Sequence, residues 1–223
     1  NEMPANALYV EGSVLCRLLM GTVGLEPVRA NRVMVVFDSQ SDPMIENLVL
    51  NTVESARATY GLECTGIYKL EPPMELTSSF SESGRAVGMG QGLETLFELL
   101  EETADSYDAV AISSLIGVPD GFHEKYFTSG GTMINPWGGI EAMLTHAVSH
   151  CFNVPSAHAP MMESRQILNE DPGRVDPRMA AEAISSSFFQ CVLKGLKQSP
   201  RIVVGPDRIA ASGVLTVRDI SCL

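Results

Sequence analysis

Short apolar segments alternate with amphipathic segments along this chain, and this alternation restricts the folds that it can adopt. Residues 32–37 read RVMVVF, a continuous apolar run that is typical of a strand covered on both faces. Residues 62–68 and 108–114 are further predicted strands, and a predicted helix follows each of the three. The pattern predicts a three-layer α/β fold with a mostly parallel, doubly wound, Rossmann-like sheet, in which 32–37 and 108–114 are central and parallel.

Capping residues mark the ends of the predicted helices. Asp42 is a suitable N-cap, Pro43 fits the first helical position, and Gly61 can end the helix. Asp176 and Pro177 repeat that start, so we predict a helix from there to residue 196. The other predicted helices span 5–20, 93–104 and 138–152. We expect irregular structure at 69–90, 117–137 and 153–175, and the last strands at 201–204 and 220–223.

The composition argues against several classes of partner. The formal net charge is −12 at pH 7, and so acidic a surface repels phosphate backbones, so we expect no nucleic-acid partner. Cationic protein surfaces and a homo-oligomer remain compatible with this charge. No stretch of about 18 apolar residues occurs, so we expect no transmembrane segment. The five cysteines are scattered without a CxxC pair, which favours reduced thiols.

Residues 1–223 are expected to form a single α/β domain that is an interior portion of a longer chain. The sequence starts at Asn1 without a methionine, and it stops inside an apolar segment that reads as the start of a strand. Folded chains seldom end in this way, so we expect further residues on both sides.

Residues 135–160, NPWGGIEAMLTHAVSHCFNVPSAHAP, are the most informative about a functional site, and they contain three of the four histidines. Gly138 and Gly139 start a predicted helix, where free N–H groups and the helix dipole favour an anion. Glycine also lets a ligand approach the backbone closely. The alternative is that the glycines only form a tight turn into the helix. Glu141, in the first turn, is a further ligand-binding candidate.

The histidines offer two kinds of chemistry. His146 and His150 are one helical turn apart and could bind zinc if His158 or Glu163 supplied a third ligand. The HExxH form is absent, because residue 147 is alanine, and both imidazoles could simply hydrogen-bond locally. We therefore expect no metal. Because histidine titrates nearest neutral pH, His146 and His158 are the acid–base candidates. No particular cofactor is indicated.

Polar side chains lie at the ends of two predicted strands. Asp38 and Ser39 follow the first strand, and Ser113 and Ser114 end the strand at 108–114. In open parallel sheets, ligands collect at the carboxyl ends of the strands. Asp38, Ser39 and Ser113 are therefore predicted ligand contacts, with a structural turn as the alternative for the first two.

The segment 84–92, GRAVGMGQG, is a glycine-rich loop that contains Arg85. It lacks the strand–GxGxxG–helix context of a dinucleotide site, and it lacks the Lys-Ser/Thr of a P-loop. Arg85 could lie on a flexible lid and bind an anionic ligand; an ordinary loop is the alternative.

Four stretches carry a resemblance to a known family: PANALYVEG (4–12), GGIEAMLTH (138–146), VPSAHAP (154–160) and MAAEAISSSFFQCVLKGL (179–196). Together they resemble a family of cyanobacterial and plastid proteins that is known only as a domain of unknown function. The resemblance implies a glycine-rich strand and loop before Asn1 and another strand after Leu223. It implies a chloroplast stroma or a cyanobacterial cytoplasm, and it brings no established reaction.

Two functions follow as hypotheses. The first is a small anionic-metabolite binding protein or enzyme with its site at the carboxyl ends of the strands. The second is a non-catalytic subunit or assembly factor that docks on a larger plastid complex, such as a photosynthetic one. The family pattern has Asp-Pro where this chain has Asn135-Pro136. If that Asp is catalytic in relatives, its replacement argues against activity here.

Overall fold

The computed structural model describes residues 6–162, 164–165, 171 and 173–221. The helices in chain order are α1 (Gly12–Leu19), α2 (Pro43–Tyr60), α3 (Leu93–Glu102), α4 (Phe122–Thr128), α5 (Gly138–Phe152), α6 (Ser185–Lys197) and α7 (Pro206–Ile209). The strands are β1 (Gly24–Glu26), β2 (Arg32–Asp38), β3 (Glu63–Leu70), β4 (Glu75–Phe80), β5 (Ala86–Gln91), β6 (Ala109–Ser114), β7 (Ile116–Gly117), β8 (Ser156–Pro160) and β9 (Arg201–Val203).

A four-stranded sheet with the order β3-β2-β6-β8 forms the centre of the fold. Strand β2 pairs with β3 and β6, β6 pairs with β8, and all three pairings are parallel. The prediction that β2 and β6 are central and parallel is confirmed, as are the α/β class and the parallel sheet. In chain order, β3 is added on one side of β2 and β6 on the other side. The carboxyl ends of two strands at such a topological switch point border a crevice.

Alternate residues of the strands face two different hydrophobic clusters, as the pleat of a strand requires. Val33 and Val35 pack into a cluster that contains the inner faces of α2 and α6. Met34 and Val36 pack into a second cluster with α3 and α5. Every residue of β6 is buried, as is every residue of β2 after Arg32, which explains why both strands are apolar up to the polar side chains at their carboxyl ends. Each residue at a strand end therefore faces one of two defined sets of helices.

The first long helix, α2, has the caps that its sequence predicts. The Asp42 carboxylate accepts a hydrogen bond from the Met44 amide, and Pro43 occupies the first turn. Gly61 ends the helix with φ 63°, in the left-handed region that glycine adopts without strain.

The prediction of irregular structure at 69–90 is wrong. It contains β4 and β5, which pair antiparallel, and β4 also pairs parallel with β7. The glycines that suggested a loop lie in β5 because this strand is close to its neighbours: a Cβ on Gly88 would collide with the Thr77 carbonyl oxygen and crowd Ile140 of α5. Close packing, not flexibility, therefore accounts for the composition of this segment.

Other predicted boundaries also need correction. Helix α1 starts at Gly12, because the Glu11 side chain caps it by accepting from the Ser13 and Val14 amides. Residues 6–11 of the predicted helix are therefore not helical, and residue 5 lies outside the described residues. Helix α6 starts at Ser185, and Asp176 instead accepts from the Arg178 amide in a turn. Helix α4 and strand β8 lie in segments predicted as irregular, while a 3₁₀ turn at Val217–Asp219 precedes the expected last strand. Residues 222–223 of that strand lie outside the described residues. Within the described chain, no helix is long and apolar enough to cross a membrane.

Candidate functional site

A cavity of about 60 Å³ that opens to solvent lies beyond the carboxyl ends of β6 and β8. Leu115 and Ile116 follow β6 directly, and Pro160 and Met161 come from the end of β8. The remaining lining residues come from the segments around α4, α5 and α6: Val118, His123, Phe127, Asn135, Trp137, Glu141, Met162, Glu182, Ser185 and Phe188. The cavity is thus mostly apolar, with a few polar groups, as ligand pockets usually are.

A chain of hydrogen bonds leads from this cavity into the core. Glu141 Oε1 lies 3.1 Å from His158 Nδ1, and His158 Nε2 lies 2.8 Å from Ser114 Oγ. The His158 side chain is only 1% exposed, whereas that of Glu141 is 18% exposed and lines the cavity. Glu141 is therefore the member of this relay that a ligand can reach, with His158 and then Ser114 behind it.

Successive side chains of a strand point to opposite faces of the sheet, and this alternation explains why these side chains meet. In β8, Ala157 and Ala159 pack towards α2 and α6, so His158 faces the opposite side, where α5 lies. In β6, Ile112 packs on the α5 side, so Ser114 points there as well. Ser113 points the other way, and its hydroxyl donates to the Ala159 carbonyl over 3.0 Å. Of the two adjacent serines, only Ser114 reaches the relay.

Asp38 ends β2 on the same side of the sheet and is fully buried. Its Oδ1 accepts a hydrogen bond of 3.0 Å from the Met74 amide, while Oδ2 has no hydrogen-bond partner among the described residues. Burial raises the pKa of Asp38 to about 6, although the Met74 and Leu115 amides, and His158 in its protonated form, act to lower it. Asp38 is thus electrostatically linked to the relay and lies behind the cavity wall.

A second carboxylate, Glu182, lines the same cavity. The Tyr126 hydroxyl donates to Glu182 Oε2 over 2.6 Å. Burial raises the pKa of Glu182, the Tyr126 hydrogen bond lowers it, and the negative charge of Glu141 raises it further. The cavity therefore holds two carboxylates that influence each other.

The start of α5 is fixed by contacts within the protein. Asn135 Oδ1 accepts from the Trp137 and Gly138 amides at 2.8 and 3.2 Å, and the Ser78 hydroxyl donates to the Pro136 carbonyl. A Cβ on Gly139 would collide with the Ala86 carbonyl of β5. These contacts fit the tight-turn alternative for the glycine pair, and anion binding there stays a prediction.

Three other predicted site residues lie away from the cavity lining. His146 Nε2 is 2.7 Å from Glu11 Oε1, so this half-exposed histidine faces α1. Arg85 is exposed in the turn between β4 and β5, and its amide donates to Ser81 Oγ. The Ser39 amide donates to the Leu70 carbonyl at the end of β3. Their functional roles stay predictions, while Glu141 and His158 are brought into direct contact.

Sequence reasoning missed Glu182, Tyr126 and the capping role of Asn135. The cap had a signal, because Asn is a preferred capping residue and Asn135 lies shortly before the predicted helix start at 138. Glu182 had none, since it fell inside a predicted helix where a glutamate is expected to face solvent. In the described part of the chain, no cluster of three His, Cys, Asp or Glu side chains could hold a metal ion.

Comparison with known proteins agrees with a family of unknown function. The chain belongs to the DUF3326 family, described as proteins of unknown function, whose profile matches residues 1–223. It is similar to an uncharacterised lipoprotein of Synechococcus, with 29% identity over 208 residues, which cover 93% of this chain and 57% of that protein. The chain thus spans little more than half the length of that relative. No solved structure gives a significant match. The expected resemblance to a family of unknown function with a cyanobacterial member is confirmed.

Proposed function

We propose that the cavity beside Glu141 is a ligand-binding site and that Glu141 is its acid–base group, so that the chain is a small-molecule-binding protein or an enzyme. One observation carries this proposal: the cavity-lining carboxylate is hydrogen-bonded to a buried histidine, which is hydrogen-bonded to a buried serine. A carboxylate that is held in this way keeps a fixed position, as a group that exchanges a proton with a bound ligand requires.

The hydrogen bonds set the positions of the protons when Glu141 is ionised and His158 is neutral. An ionised Glu141 can only accept, so His158 Nδ1 carries the proton. His158 Nε2 then accepts from the Ser114 hydroxyl. Because His158 Nδ1 already carries a proton, a proton taken from a ligand stays on Glu141, while His158 and Ser114 hold the carboxylate and the imidazole ring in position.

The relay resembles a serine–histidine–acid triad in composition, but its orientation differs. In a triad, the serine faces the substrate and the acid is buried behind the histidine. Here Ser114 is fully buried and the acid, Glu141, lines the cavity. We therefore propose acid–base chemistry at Glu141 and not a serine nucleophile.

The charges of the lining bear on the ligand class, for which the sequence predicted an anionic metabolite. The charged side chains that line the cavity are Glu141 and Glu182, and no lysine or arginine is among the described lining residues. Two carboxylates repel an anion, so the site favours a neutral or cationic ligand. The alternative of a docked subunit on a larger plastid complex stays a prediction.

We also propose the finer points of fold and location. A three-layer, doubly wound, Rossmann-like arrangement is supported by the helices that pack on each side of the parallel sheet. A cyanobacterial or plastid origin is supported by the Synechococcus relative, whose name calls that protein a lipoprotein. Cell fractionation would distinguish a membrane-attached protein from one in the stroma or cytoplasm.

A binding screen tests the proposed function. A panel of small molecules is measured by thermal shift against the wild type, Glu141→Gln, and Glu98→Gln as a control at an exposed position of α3. We expect ligands that stabilise the wild type and the control, with at least about tenfold weaker binding to Glu141→Gln. If no panel member binds, or if every ligand binds Glu141→Gln as well as wild type, the proposal is wrong.

A further inference from the structure

We propose that the ligand of this cavity is a small organic cation, a protonated amine with an apolar body. This inference rests on the proposed function and names the chemical class that the same site would take. It draws on the charge, the acceptor atoms and the aromatic surface of the cavity.

The charge of the lining is the first argument. Glu141 and Glu182 are close enough that the charge on one raises the pKa of the other. Because both carboxylates are partly withdrawn from water, their mutual repulsion is less screened than at an open surface. A cation between them would relieve that repulsion, whereas an anion would add to it.

The second argument is the number of acceptor atoms that remain. Glu141 uses Oε1 for His158, and Glu182 uses Oε2 for Tyr126. Each of these hydrogen bonds uses one oxygen of its carboxylate, and the second oxygens, Glu141 Oε2 and Glu182 Oε1, are further acceptors for a ligand. A protonated amine has up to three N–H donors and no acceptor, as a lysine ammonium does, and so matches acceptors of this kind. Charge-assisted hydrogen bonds of this type are stronger than neutral ones.

The third argument is the aromatic surface. Phe127, Trp137 and Phe188 line the cavity, and the ring centroids of Phe127 and Trp137 are 6.2 Å apart. Tyr126 supports this wall from behind, with its ring centroid 5.5 Å from that of Trp137. Aromatic faces attract cations through their quadrupole, most strongly for tryptophan, and they also bury apolar carbon. The wall therefore suits both the charged head and the apolar body of an amine.

Three probes of similar shape separate charge from size: 2-phenylethylamine, 2-phenylethanol and 3-phenylpropionate. The amine is protonated at neutral pH and the carboxylate is ionised. Their affinities are measured by NMR titration of the whole chain. We expect the amine to bind at least about tenfold more tightly than the alcohol, and the carboxylate to bind most weakly.

Variants identify the groups responsible. Glu182→Gln should weaken amine binding at least about tenfold and leave alcohol binding nearly unchanged. Glu98→Gln, on the exposed face of α3, should change neither. Tyr126→Phe is the second variant, because it removes the hydroxyl that holds Glu182 and leaves the carboxylate itself. It should weaken amine binding by a smaller factor, and circular dichroism confirms that each variant is folded.

Each outcome decides between the two proposals. Preference for the amine, lost in Glu182→Gln, supports the cation. Equal or tighter binding of the alcohol or the carboxylate at this cavity overturns the cation and leaves the binding site intact. If none of the three probes binds, the cation inference is wrong, and the panel screen decides the proposed function separately.

Discussion

Replacing Asp38 with asparagine should change how stability depends on pH, because Asp38 is fully buried at the end of β2. Burial raises the pKa of this carboxyl from 3.8 to about 6. A raised carboxyl pKa means that the folded state holds the proton more tightly than the unfolded state does. Asp38 therefore contributes stability that is full below pH 3.8 and is lost as the pH rises through 6.

The magnitude follows from the two pKa values. One pKa unit corresponds to about 1.4 kcal/mol. The difference between a pKa of 3.8 and one of about 6 predicts a change in the free energy of unfolding. Between acid and neutral pH, the wild type should lose about 3 kcal/mol of this free energy relative to Asp38→Asn. Asparagine keeps an oxygen that can accept from the Met74 amide, but it places an NH₂ group at the position of Oδ2, which has no partner among the described residues. That unsatisfied donor adds a cost of about 1–3 kcal/mol that does not depend on pH.

Urea unfolding of both proteins at a series of pH values measures this effect. At each pH, the free energy of unfolding of Asp38→Asn is subtracted from that of the wild type, so that the titration of the other carboxylates cancels. Asp120→Asn, at an exposed position, is the matched control. We expect the wild type to lose stability relative to Asp38→Asn as the pH rises from about 4 to about 7. A difference that stays constant over this range, or that changes in the opposite direction, would refute the reasoning.

Three further predictions concern the contacts around the site. Gly139→Ala should destabilise the fold by about 1–3 kcal/mol in thermal unfolding, because the new Cβ collides with the Ala86 carbonyl. The control Gly138→Ala, whose Cβ has its nearest contacts at 3.8 Å, should be neutral or slightly stabilising. Asn135→Ala should cost about 1 kcal/mol through the lost cap of α5, and an unchanged melting temperature would contradict that role. His158→Gln should weaken binding of the panel ligands, while His146→Gln, which breaks only the contact with Glu11, should leave binding unchanged; equal effects would count against the relay.

The central strands and α2 could be predicted because local signals determine them. The run at 32–37 has no polar residue after Arg32, so only a strand buried on both faces accommodates it. Asp42, Pro43 and Gly61 fix both ends of α2 by backbone chemistry that needs no tertiary contact. For these elements, the local sequence and the final environment favour the same structure.

The antiparallel pair of β4 and β5 could not be predicted from local signals. Strand β5 contains Gly88 and Gly90, and glycines at such spacing usually indicate a loop. Here glycine is required because β4 and α5 lie too close to leave room for a Cβ atom. That proximity is a tertiary property, and a single sequence does not show it. The same limit applies to Glu182, which reaches the cavity because the turns before α6 bring it next to Tyr126.

The two candidate histidines show how far the site itself could be predicted. Both were selected for their chemistry, and the strand parity around His158 directs it towards α5 and Glu141. His146 lies on the same helix as Glu141, but it faces α1, whose position the helical period does not reveal. Residue type therefore indicated the candidates, and only the packing of α1 and β8 distinguished them.

The most direct test of the central claim is methyl NMR of the methionines during titration with a ligand from the panel. Met161 and Met162 line the cavity, whereas Met20 and Met89 are exposed and do not line it. If the cavity is the binding site, the methyl signals of Met161 and Met162 shift with a common dissociation constant, and those of Met20 and Met89 stay in place. Shifts confined to Met20 or Met89, with Met161 and Met162 unchanged at saturation, would contradict the account.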